Sequence, residues 1–247
     1  MWLKDWVLTS IPQTNRARHA PHPTAAAFTF PPVRGRKLTA AFDGGRLPSD
    51  GGVLLLAQAT RRLGIADRLA AVIPDWRDPH RIRHPLTEIL LARILASACS
   101  HENADDLDHL CTGAVFKLAC ARLPESGPDL MSQPTVSHLE NTPCLRDLIR
   151  LGRVLVDFFC VSSPEPPTAI TLDIDDTLDV VHGHQQLSLF NAHHDERCFL
   201  PIHVYDPVTG RAVAVILRPG KTPSGREVRG HLRRLVRAIR RHCTPRT

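Results

Sequence analysis

The sequence predicts an α+β fold, a helical N-terminal region followed by a β-β-β-α unit, and three observations lead there. Apolar residues recur at helical spacing between residues 53 and 160. Between residues 169 and 217 the pattern changes to short strand-like runs, two of them alternating, with a turn signal between the second and the third. The stretch at 161–168, Val-Ser-Ser-Pro-Glu-Pro-Pro-Thr, separates the two as a Pro-rich linker.

Residues 1–38 are rich in Pro, Ala, Thr and Arg and are broken by Pro21-His22-Pro23 and Phe30-Pro31-Pro32, which predicts a disordered N-terminal segment. A helical region follows over 39–160. Its first helix runs through Val53–Leu63 after the turn at Pro48-Ser49-Asp50-Gly51-Gly52. Pro85–Ala98 is a second, with Ile89, Leu90, Ile94 and Leu95 along one stripe, and Asn103–Cys111 and Ala114–Ala121 are shorter. Ser132–Asn141 is a polar helix that starts beside Pro134. Cys144–Cys160 closes the region with the stripe Leu145, Leu148, Ile149, Leu155, Val156 and Phe159.

Beyond the linker, at 169–247, Ala169–Asp175 and Cys198–Tyr205 alternate as strands. Asp206-Pro207-Val208-Thr209-Gly210 is a turn, and Arg211–Leu217 a third strand. Ser224-Gly225-Arg226-Glu227 has the form of a capping box opening a helix that reaches about His242. The short turn predicts that strands two and three are antiparallel neighbours. Paired acids on the first strand of a β-β-β-α series are the opening half of a ribonuclease-H-like fold.

The acids carry the chemistry. In Ile170-Thr171-Leu172-Asp173-Ile174-Asp175-Asp176-Thr177 the alternation puts Asp173 and Asp175 on one face, opposite Ile170, Leu172 and Ile174. Like charges at that spacing repel unless a cation sits against them, and a divalent metal is the usual one. The structural alternative is a turn cluster, because Asp and Thr favour such places.

Composition bounds the partners. The 247 residues are 43% hydrophobic and 23% charged, with 31 Lys+Arg against 25 Asp+Glu, a formal net charge of +6. Arg supplies nearly all of the basic excess, and it is concentrated. Arg226, Arg229, Arg233, Arg234, Arg237, Arg240 and Arg241 share one helix with the single acid Glu227. A solvated helix face normally mixes signs, so this one predicts contact with nucleic-acid phosphate. Arg61, Arg62, Arg77, Arg81 and Arg83 form a second basic set. Gln133, Thr135, Ser137 and His138 offer donors and acceptors suited to base edges, and Gln185 is a further polar candidate. His182, His184, His193, His194 and Asp195 fit no zinc template. The seven cysteines contain no CxxC and predict buried free thiols in a reducing compartment. No signal peptide and no membrane span is recognisable, which predicts a soluble intracellular protein.

Several motifs in order carry a resemblance. Thr171–Thr177, His182-Gly183-His184-Gln185-Gln186, Phe190-Asn191 and Cys198–Asp206 resemble the DDE transposases of bacterial insertion sequences, nearest to the group of insertion sequence thirteen-eighty. Asp78–His84, His101–Asp106 and Ser132–Asn141 are similar too, so the resemblance spans roughly residues 38–242. It implies DNA transposition, in which three carboxylates hold two divalent ions, usually Mg2+, for in-line attack on phosphodiesters. It also implies a cytoplasmic, nucleoid-associated protein whose partners are double-stranded DNA at element ends, a second copy, or a full-length transposase.

The resemblance assigns Asp175, in an Asp-x-Thr pattern with Thr177, as the first acid, and Asp173 as the alternative ligand on the same face. The second aspartate and the glutamate of the family lie beyond the Ser224–His242 helix, and the chain ends at Thr247. The expectation is therefore an N-terminal fragment, catalytically incomplete and at most DNA-binding. Two alternatives stand beside it. One is an Asp-x-Asp phosphatase or nuclease using Asp173 and Asp175. The other is a regulatory fragment that inhibits full-length transposase.

Overall fold

A computed structural model of the chain describes residues 28–40, 50–163, 165, 167–183 and 185–243. The expectation for 1–27, the turn residues Pro48 and Ser49, and His184 lie outside the described residues.

Helix appears where the 3.6-residue periodicity placed it, because each apolar stripe finds the same interior. Helix α1 (Val53–Leu63), α3 (Leu86–Ala98), α4 (Asp106–Leu110), α5 (Ala114–Ala119) and α6 (Gln133–Asn141) bury Val53, Ile89, Leu95, Leu107, Phe116, Met131 and Val136 in one cluster. Gly64 ends α1 at φ 63°, a left-handed position that favours glycine, and the chain turns there into α2 (Ile65–Ala70). That short helix had no legible stripe of its own. Buried cations secure the region from within. Lys117 donates to the Gly127 carbonyl at 2.8 Å and to Asp129 at 3.1 Å. Arg122 pairs with Glu88 and donates to the carbonyls of Pro128 and Asp129.

Helix α7 (Leu145–Val161) divides along its length. Val154, Val156 and Phe159 are buried, whereas Leu145, Leu148 and Ile149 are exposed, so the first half of the predicted stripe joins neither core. The second half joins a second cluster with Ile202, Val204, Val213, Leu235 and Ile239.

That second cluster underlies a three-stranded sheet. Strands β3 (Asp173–Asp176), β7 (Ile202–Asp206) and β8 (Arg211–Ile216) pair in the order β3-β7-β8, all antiparallel. The predicted meander is thus present. Antiparallel pairing throughout does not provide the parallel sheet with intervening helices that the phosphatase alternative needs. The turn after β7 is fixed by Asp206, which is buried and accepts from Thr209 Oγ1 at 2.7 Å and from Val208 N at 3.1 Å. Helix α8 (Gly225–Cys243) then covers the sheet with Leu235 and Ile239.

Four expectations are corrected. First, Phe28–Val33 and Arg36–Ala40 form an antiparallel hairpin, β1 and β2, inside the segment expected to be disordered. Arg34 and Gly35, both at positive φ, make its tight turn.

Second, Cys198–Tyr205 is not one strand. It breaks at Leu200-Pro201, because proline has no N–H to give a ladder. Glu196–Phe199 (β6) instead pairs with Asp179–Val180 (β4) and Leu189–Asn191 (β5) in a separate small sheet.

Third, the capping box at α8 is half made. Ser224 Oγ accepts from Glu227 N at 3.3 Å, but the Glu227 carboxylate goes to Arg218. Fourth, the thiols are not uniformly buried. Cys120 and Cys198 are, Cys99, Cys111 and Cys160 are half-buried, and Cys144 is exposed. Burial pushes the Cys120 thiol up to about 12, which makes it inert at neutral pH.

Candidate functional site

Strand β3 positions the acids as its alternation requires. Ile170, Leu172 and Ile174 pack on the second cluster, while Thr171, Asp173 and Asp175 are exposed. Register sets their neighbours: Asp173 lies opposite Tyr205, and Asp175 opposite His203. The His203 and Tyr205 rings stack side by side on β7, with centroids 6.2 Å apart and planes 6° from parallel. Asp176 lies opposite Ile202, on the other face. Asp175 Oδ1 accepts the Asp176 backbone N–H at 2.9 Å. Among the described residues no cation forms an ion pair with Asp173 or Asp175.

This face fits part of a metal centre and not all of it. Two carboxylates two residues apart on an extended strand sit about 7 Å from each other along the backbone. Among the described residues, no group of three or more His, Cys, Asp or Glu is placed to hold a metal ion. A two-ion site needs carboxylates converging from separate elements. The described residues supply one such element.

The arginines of α8 lie elsewhere. Leu235 and Ile239 face the sheet, so Arg226, Arg229, Arg233, Arg234, Arg237, Arg240 and Arg241 are exposed on the helix's outer side. The acids project from the opposite face of the sheet. A helix layer about 10 Å thick therefore stands between the two charge sets, in addition to the sheet itself. Sequence alone had not separated them. Arg234 Nη2 meets His231 Nδ1 at 2.9 Å. Burial and the neighbouring Arg234 charge hold the His231 imidazole below its usual range.

The second basic set also divides. Arg77 is consumed internally. Its guanidinium takes both oxygens of Asp75, at 2.7 and 2.8 Å, and lowers that carboxyl below its usual range. Arg61 donates to the Ala119 carbonyl. Arg81 and Arg83 stay exposed, and they border a cleft whose other wall includes Thr135 and His138 of α6. Gln133 and Ser137, on a different side of that helix, do not line it. Gln133 N donates to Asp108 Oδ1 at 2.8 Å, which fixes the helix start. Gln185 is exposed at a tight turn, where its carbonyl accepts from Ser188 Oγ at 2.7 Å.

Arg218 escaped the sequence reading. Its side chain is only 4% exposed, yet it joins three elements. It pairs with both Glu227 oxygens at 2.8 and 2.9 Å and donates to the carbonyls of Leu200 at 3.2 Å and Lys221 at 3.1 Å. Gly220 follows two residues on. A Cβ there would meet the Cys198 carbonyl oxygen at 2.3 Å, so only glycine allows the loop to close on β6. The signal in the sequence was an arginine directly before Pro219-Gly220 at the end of an apolar strand. Trp76 escaped as well, because one aromatic in a loop has no periodicity to mark it.

None of the described helices is long and apolar enough to cross a membrane. No match was found among curated proteins or among solved structures. The family described as Transposase DDE domain group 1 matches residues 30–247, a span that takes in the helical region, the acidic strand and the arginine helix together, and the chain belongs to that family.

Proposed function

We propose that this chain, a member of a family that carries out DNA transposition, holds the first acid of the family's phosphoryl-transfer site in Asp175, with Asp173 as its neighbour. The sheet and α8 then form the opening part of a ribonuclease-H-like unit, and the group of insertion sequence thirteen-eighty is the one its motifs fit. The observation that carries this is the β3 face. Two carboxylates stand exposed on one side of a strand whose other side is core, and no cation among the described residues offsets them. That repulsion is what a bound divalent ion such as Mg2+ would relieve.

The described residues bring one acid-bearing element to this face, and in this reading they bind DNA without cutting it. Duplex contact runs through the outer face of α8, together with Arg81 and Arg83 beside Thr135 and His138. Gln133, Ser137 and Gln185 are subsidiary contacts in this reading. In this reading the chain acts on double-stranded DNA at element ends in the bacterial cytoplasm. Self-association is a further way for it to act.

Incubation of the purified 247-residue chain with supercoiled DNA and Mg2+ or Mn2+ tests the catalytic part. No nicking is expected. Metal-dependent nicking that disappears in Asp175→Ala would show a working site and overturn the incomplete-centre reading.

A further inference from the structure

Residues 75–84 form a loop held in one shape by its own polar groups. Arg77 grips Asp75 and also donates to the His84 carbonyl at 3.0 Å. Asp78 caps the short 3-10 turn Pro79–Arg81 by accepting from His80 N at 3.0 Å. The result is a rigid rim. Trp76 stands on it at 82% exposure, with Arg81 and Arg83 exposed nearby, their guanidinium groups bonded to no other described residue.

Between this rim and α6 opens a cleft of about 810 Å³, within the roughly 300–1,000 Å³ usual for small-ligand sites. Its floor is apolar, with Ile82, Leu86 and Leu139, and Thr135 and His138 face the rim from the other wall. An indole left in water beside two unneutralised guanidinium groups is the chemistry of a nucleotide site. The ring face takes a base, the guanidiniums take phosphates, and the hydroxyl and imidazole take the base edge. A base inside a duplex has both faces covered by its neighbours, and a terminal paired base has its Watson–Crick edge covered, so only an unpaired base offers the indole a face and Thr135 and His138 that edge together. A base leaves the stack at least cost where it is already single-stranded, as in an extension at a strand end.

We propose that this cleft holds an unpaired nucleotide of a DNA strand end, its base stacked on Trp76 and its phosphates against Arg81 and Arg83. The proposal rests on the DNA-binding reading above and narrows it to one site and one form of DNA.

Two labelled probes test it, a blunt duplex and the same duplex with a short single-stranded extension, titrated into the full chain by fluorescence anisotropy. Wild type should prefer the extended probe by about tenfold, the size expected of one base–aromatic stack. Trp76→Ala should abolish the preference while leaving blunt-duplex affinity and the melting temperature unchanged, and Trp76→Phe should keep most of it. With Trp2 and Trp6 replaced by Phe, Trp76 emission should be quenched by the extended probe and not by the blunt one. Equal affinity of wild type for the two probes would overturn the cleft assignment and leave duplex binding standing. A preference that survives in Trp76→Ala would also overturn it. Binding of neither probe would overturn both readings.

Discussion

The sheet face of β3 and the outer face of α8 share one core and carry opposite charge. On β3, Asp173 and Asp175 stand two positions apart with no cation among the described residues beside them. On α8, seven arginines accompany the acid Glu227, and that acid is turned inward to a buried guanidinium. Each face is electrostatically costly alone, because like charges crowd together in both. The charges are opposite in sign, and the sheet and helix layers keep the two sets from neutralising each other. The proposed ligands would offset both, a metal ion on one face and a phosphate backbone on the other. The lesson is geometric: the α8 arginines lie on the far side of the unit from Asp175, so a duplex held by them as proposed would be positioned there and not at the phosphate nearest that acid.

The most severe way to break the comparison is to remove what both faces stand on. Ile202 is 2% exposed under the middle strand. Ile202→Ala should cost about 3 kcal/mol by urea unfolding, and it should weaken DNA binding through loss of fold. Replacing Arg226, Arg229, Arg233 and Arg237 together by Ala should act on one face alone. Duplex affinity should fall on the order of 100-fold at low salt, and the log–log salt slope should flatten by roughly 0.9 per lost phosphate contact. An unchanged slope between 50 and 200 mM salt would remove α8 from the interface.

Glu227→Gln tests the joint between the two layers. It leaves the buried Arg218 with carbonyl partners only, and about 2 kcal/mol of stability should go. The same pair gives a pH dependence. Arg218 holds the Glu227 carboxyl below its ordinary value of 4.5, so the folded pKa lies under the unfolded one. Its contribution is complete above 4.5 and disappears as pH falls through the folded value. The Glu227→Gln variant should lose less stability over that acid range than wild type, as followed by thermal melts. The smallest effect is expected on the acidic face. Asp173→Asn with Asp175→Asn should change stability by no more than about 0.5 kcal/mol, in the stabilising direction as repulsion is relieved. Any rise in melting temperature that wild type gains from Mg2+ should vanish in this double variant.

Legibility followed periodicity. Helix α1 was bounded in the sequence as Val53–Leu63, and the structure has the same limits, because it has an apolar stripe and a turn before it, whereas the polar α6 was legible from the proline at its start. Asp173 and Asp175 were placed on one face for the same reason, a side-chain period of two. Elements without a period were missed. The β1–β2 hairpin sits in a Pro-rich run, α2 is too short to show a stripe, and β4 and β5 are two and three residues long. The stripe of α7 was legible, but its burial was not, since half of it meets a core and half meets solvent.

By itself the sequence determined the order of the longer helices and strands, the meander after Pro167 and the shared face of the two acids, all consequences of local pattern and turn chemistry. Tertiary structure alone decided which charges belong together. It set Arg218 against Glu227, spent Arg77 on Asp75, left Arg81 and Arg83 open beside Trp76, and put the α8 arginines behind the sheet from Asp175. Such pairings depend on distances through space between segments far apart in the chain, and a linear pattern of residue types does not encode them.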